Sequence, residues 1–151
     1  MTNFGLAGKE RVVKGNVLLP VNSGLKMIVN VCGQDGKYDA PFDKELTKKW
    51  AKVRESVKLA FATNTNFKLG SVIECTLSSD LWMANLVVKD KDGVLNEKGL
   101  ETAVKNLARL AKTEQASLHI PATLFVEVPK LKELVQKEAV ANGVNLYVYE
   151  A

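Results

Sequence analysis

The chain has 151 residues, 21 of them basic and 17 acidic, for a formal net charge of +4 and an isoelectric point near 9.0. With 46% hydrophobic and 25% charged residues it has the make-up of an ordinary globular domain, which excludes a disordered tail, a collagen-like rod and a disulfide scaffold. The length suits one domain over residues 1–151, and no apolar stretch approaches the ~18 residues needed to span a bilayer. Residues 1–11 carry no apolar segment behind their charges. The expectation is a soluble cytoplasmic protein with no membrane association.

In chain order, residues 11–19 (RVVKGNVLL) and 25–31 (LKMIVNV) are short apolar runs bounded by Gly, Asn and Pro, and they read as strands. Leu46, Trp50, Val53, Val57 and Ala60 then recur every three or four residues, which predicts one amphipathic helix with Asp43 as its N-cap. After a polar connection at 63–66 (TNTN), residues 71–77 (SVIECTL) and 81–88 (LWMANLVV) are again strand-like, and 89–93 (KDKDG) is a charged turn. Leu100, Ala103, Val104, Leu107, Leu110 and Ala111 mark a second helix, and 117–120 (SLHI) a strand. Leu131, Leu134, Val135 and Ala139 mark a third helix that Asn142-Gly143 would stop, before a last strand at 145–149 (NLYVY). Helices alternating with buried strands predict a three-layer α/β/α sandwich around a central mixed sheet of about six strands.

Cys32 and Cys75 fall inside apolar strands and His119 is the single histidine, so no metal site and no Cys-His nucleophile pair is predicted. The cysteines read as buried reduced thiols, which favours a reducing compartment. His119 alternates with Leu118 and Ile120 and reads as a residue packed against a helix; Trp50 and Trp82 read as core. Ligands of such folds gather beyond the carboxyl ends of the strands. That directs attention to 32–42 (CGQDGKYDAPF), to the turn beginning at Lys89, and to 121–128 (PATLFVEV), read as a loop. Residues 44–58 hold six basic and two acidic side chains, an excess equal to that of the whole chain. This segment is either a solvated helix face or a surface that steers an anion, with nucleic acid the weaker partner because no aromatics interleave its charges.

The order of these segments resembles that of macrodomains, the ADP-ribose-binding α/β family, and within it the small stand-alone branch of terminal ADP-ribose glycohydrolases and DNA de-ADP-ribosylating antitoxins. The resemblance rests on VVKGNVL (12–18), IVNVCGQDGKYDAPF (28–42), LTKKW (46–50), FKLGSV (67–72), DLWMANL (80–86), SLHIPA (117–122) and GVNLYVYE (143–150), in family order from Arg11 onward. It implies a ligand site in which Asn16 takes the place of the adenine-contacting aspartate and Asn30 opens the ribose- and phosphate-facing loop. Gly33 and Gly36 would let backbone approach the ligand. Asp35 and Tyr38 complete that loop, and Pro121, Thr123 and Phe125 supply the second one. Asn16 equally reads as a turn-forming residue, and Tyr38 as an exposed loop residue in place of a stacking one.

The same resemblance implies a nucleophile at Lys89, just after the LWMANL-like strand, although a lysine in a charged turn is also an ordinary solvated residue. Glu127, the one carboxylate in the second loop, is the candidate acid/base, or else a surface residue on a strand edge. Asp39 and Pro41 stand where relatives carry loop glycines, and no glycine lies between Pro121 and Leu131, so the phosphate cradles are altered. Two functions follow from the resemblance. One is binding of ADP-ribose or a related nucleotide, with hydrolysis of ADP-ribose adducts and no cofactor. The alternative is a degenerate macrodomain that binds a protein or a different ligand, motivated by the apolar run TLFVEV (123–128).

Overall fold

The structure is a computed structural model that describes residues 8–64 and 67–151; residues 1–7 of the N-terminal segment and residues 65–66 of the TNTN connection lie outside the described residues. Its elements are β1 (Glu10–Lys14), β2 (Lys26–Gly33), α1 (Pro41–Lys49), α2 (Ala51–Thr63), β3 (Val72–Ser78), β4 (Leu81–Lys89), α3 (Glu97–Glu114), β5 (Ser117–Pro121), α4 (Ala122–Glu127), α5 (Pro129–Asn142) and β6 (Leu146–Glu150). The strands form one sheet in the order β1-β6-β5-β2-β4-β3, with β3 antiparallel to β4 and the other pairs parallel.

Side chains alternate across the sheet with period two, and both faces are covered. Met27, Val29 and Val31 of β2 and Leu86 and Val88 of β4 meet Leu100, Leu107 and Leu131 from α3 and α5. On the other face Ile28, Met83 and Val87 meet Leu46 of α1 and Val53 and Val57 of α2. The α/β/α architecture read from the sequence is the one observed. No described helix is long and apolar enough to cross a membrane.

Four local expectations are corrected. The first strand stops at Lys14, because Asn16 folds the chain into a turn: its Oδ1 accepts the Leu18 N–H at 2.9 Å and its carbonyl the Leu19 N–H at 2.9 Å. The single basic helix is two. Trp50 leaves helical geometry (φ −136°, ψ 95°), closing α1 through its N–H on the Leu46 carbonyl and opening α2 through its own carbonyl, which accepts the Val53 N–H. Asp43 is not the cap of α1 but sits one turn in, after Pro41 at the first position, and its Oδ2 reaches back to the Ala40 N–H at 3.0 Å. Finally, 121–128 is no loop: it is the end of β5 followed by α4.

His119 is buried, with its ring lying parallel to that of its strand neighbour Tyr147 at a centroid separation of 4.8 Å. Trp50 and Trp82 are half-buried at the rims of the two apolar layers. Cys32 and Cys75 are buried free thiols.

Candidate functional site

Because β1, β2, β4, β5 and β6 run parallel, their carboxyl ends share one edge of the sheet. The residues that follow them converge there, and they build two clefts that share Phe42 as a wall. The smaller, about 190 Å³, is lined among others by Asn30, Gly33, Asp35, Asp43, Lys89 and Glu127. The larger, about 530 Å³, is lined by Asn16, Val17, Leu18, Pro121, Thr123 and Tyr149.

In the small cleft Lys89 Nζ lies 3.4 Å from Glu127 Oε2, each side chain about one third to one half exposed. The two residues are 38 apart in sequence and are set by different devices. Lys89 is the last residue of β4, paired with Gly33 on one side and bridged to Leu95 on the other. Glu127 ends α4, which is seated by the buried Leu124 and by Val128 just beyond it. Gly33 passes close to Lys89 and Asp35, and a Cβ there would press on Lys89 Cβ and Asp35 Oδ1 at 3.3 Å each. Asp35 closes its own turn by accepting the Lys37 N–H at 3.0 Å.

Beneath this cleft lies a buried polar cluster. Asn30 Nδ2 donates to Asp43 Oδ1 at 2.7 Å and to Tyr38 Oη at 3.1 Å, and Tyr38 Oη donates to Asn85 Oδ1 at 2.7 Å. Burial raises the Asp43 carboxyl above the ordinary carboxylate range. The bonds from Asn30 and Ala40 oppose that shift, Glu127 adds to it, and Lys89 offsets it. Cys32, also on the wall, is pushed up to about 12 by burial and by Asp43 and Asp35, so its thiol stays protonated and is no nucleophile.

A second cluster is centred on His119 and meets the large cleft at Tyr149. Its Nε2 lies 2.7 Å from Ser117 Oγ and its Nδ1 2.7 Å from Tyr149 Oη, which also accepts the Val21 N–H at 2.9 Å. Burial lowers the imidazole to about 3, with Lys26 adding to the effect, so it is neutral and structural at physiological pH.

Of the residues read from the sequence, the structure gathers Asn30, Gly33, Asp35, Lys89 and Glu127 at one cleft and Asn16, Pro121 and Thr123 at the other. Three do not belong. Tyr38 is 2% exposed and engaged in the buried cluster, so it neither stacks on a ligand nor stands exposed. Gly36 (φ +76°) lies under the Phe61 ring, which a Cβ would meet at 2.5 Å; its conformation serves that packing and not a ligand. Phe125 packs into the layer of α3 and α5, away from both clefts. With Leu124 and Val128 buried, Val126 is the one apolar residue of TLFVEV that stands well out in solvent, which removes the apolar surface that motivated a protein partner. In the basic segment, Lys49, Lys52 and Lys58 donate to the carbonyls of Leu18, Thr76 and Gly36, and all six basic residues of the segment are exposed.

Asp43, Asn85, Phe42 and Tyr149 were not read as site residues. Asn30 and Asn85 are register partners on adjacent strands, and two amides interrupting apolar strands were the available signal.

The course of the chain matches solved structures over almost its full length. A macrodomain protein from Streptomyces coelicolor superposes with a TM-score of 0.86 at 21% identity, over 95% of this chain and 99% of that one. The chain has the macrodomain fold. The macrodomain of Thermus aquaticus DarG is similar at a TM-score of 0.76 and 18% identity, over 95% and 99% of the two chains. Thermosipho africanus DarTG, a structure in complex with ADP-ribose, is similar at 0.73 and 14%, over 95% of this chain and 42% of that one. No family model and no curated protein matches the chain.

Proposed function

We propose that this macrodomain-fold protein binds ADP-ribose or a related nucleotide across the two clefts and hydrolyses a glycosidic bond to its ribose, with Lys89 as nucleophile and Glu127 as acid/base. The carrying observation is the Lys89–Glu127 contact at 3.4 Å in a cleft at the strand ends. A half-exposed ion pair contributes only about 0–1 kcal/mol to stability, so the arrangement has little structural purpose. The fold adds to this, since a DarTG structure with the same fold holds ADP-ribose.

In this reading the large cleft takes the base against Phe42, Val17 and Leu18, near the Asn16 amide. Glu127 takes a proton from the Lys89 ammonium, freeing the amine lone pair to attack the anomeric carbon. The bond to the leaving atom breaks with its electron pair, and that atom takes the proton back from Glu127. Water then attacks the same carbon as Glu127 takes its proton; the Lys89 amine leaves with the C–N electron pair and recovers that proton.

Calorimetric titration with ADP-ribose, AMP and adenosine tests the binding half. Saturable heat from at least one, with affinity about tenfold weaker in Thr123→Trp, which narrows the large cleft from an exposed position, is the expected result. No heat from any of the three with the protein folded overturns the reading.

A further inference from the structure

The small cleft is charged in a way that bears on its substrate. Its lining carries four carboxylates, Asp35, Asp39, Asp43 and Glu127, against two ammonium groups, Lys37 and Lys89. Glu127 already faces Lys89, and Lys37 stands exposed at the rim. A loop that holds a diphosphate also needs unengaged backbone N–H groups. In the loop after β2 four of these groups are engaged internally: the Gln34 N–H donates to the Lys89 carbonyl, Gly36 to the Gly33 carbonyl, Lys37 to Asp35 Oδ1 and Ala40 to Asp43 Oδ2. Pro41 has none to give.

The same lining suits a sugar. Ribose hydroxyls are donors and carboxylates are acceptors. A glycosidic carbon that becomes oxocarbenium-like develops positive charge, which nearby carboxylates stabilise and a phosphate-binding cradle does not. The large cleft, in turn, is lined mostly by neutral groups, with Glu45 at its edge. We infer that the substrate class is an uncharged riboside, a nucleoside or ribosyl adduct that places sugar hydroxyls and not a diphosphate in the cleft beside Lys89. This inference rests on the nucleotide-site reading above and narrows it.

The test compares adenosine with ADP-ribose by calorimetry, on the wild type and on the double variant Asp35→Asn/Asp39→Asn. Asn at 35 keeps the oxygen that closes the turn, and Asp39 is exposed, so the fold is retained. Adenosine is expected to bind at least as tightly as ADP-ribose. The double variant should shift the ratio of the two affinities about tenfold towards ADP-ribose, as removal of like-charge repulsion requires. Raising ionic strength from about 0.01 to 0.15 M should strengthen ADP-ribose binding to the wild type and not that of adenosine. Tighter binding of ADP-ribose than of adenosine overturns the inference while the nucleotide site stands. Silence from both ligands removes the site itself, and the inference with it.

Discussion

The two clefts share one wall, Phe42, and one edge of the sheet, yet they are built on opposite plans. The small one is charged and carries an ion pair, over a floor in which Asn30, Asp43, Tyr38 and Asn85 bond to one another. The large one is mostly apolar, and its Tyr149 is bonded to the neutral His119 imidazole, which Ser117 holds from the other side. A nearly uncharged lobe can bind a flat base by burial, while a charged lobe can move protons. In the proposed function the difference separates affinity from chemistry, so that each lobe can be tested alone.

The largest effect is expected beside the large lobe. His119 titrates at 6.5 when unfolded and at about 3 when folded, so between those values the unfolded chain binds the extra proton. Stability is full above about pH 6.5 and falls as the pH drops towards 3, by about 4–5 kcal/mol in the limit. Urea melts at a series of pH values should show that slope in the wild type and its loss in His119→Gln.

Next, in the small lobe, Lys89→Ala should reduce glycosidic hydrolysis by about 10³-fold or more while changing stability by under about 1 kcal/mol. Release of 4-nitrophenol from a riboside, beside a thermal melt, checks both. Asp43→Ala should cost about 2 kcal/mol, because the Asn30 amide and the Ala40 N–H are left without the carboxylate they donate to. The smallest effect is Thr123→Trp, about tenfold weaker nucleotide binding with the rate of bound substrate unchanged. A loss of rate at saturation in this variant would show that the lobes are not separable.

How far the sequence carried differs between these regions for physical reasons. The sheet and its two covering layers were legible because the apolar run of 81–88, buried on both faces, and period 3.6 in 100–111 survive in the fold. The break at Trp50 was not, since the apolar spacing runs on through it and only the backbone turns. The short helix after Pro121 was hidden because Leu124 and Val128 look like a strand-prone run until their burial is known. Lys89 and Glu127 were readable as residue types in suggestive places, whereas their 3.4 Å approach needed the parallel register of β2, β4 and β5. Tyr38 misled for the converse reason. Flanked by Lys37 and Asp39, it reads as exposed, and only the inward amides of Asn30 and Asn85 explain its burial.

The central claim is that a nucleoside base occupies the large lobe with its sugar directed past Phe42 towards Lys89. The most direct measurement is a two-dimensional amide NMR titration of the folded chain with adenosine. The account predicts saturable shifts at Asn16, Leu18, Phe42, Thr123 and Lys89, with those of Gly143 to Asn145, which precede β6 at the opposite edge of the sheet, unmoved. Shifts absent from the first group, or concentrated in the second, would contradict it.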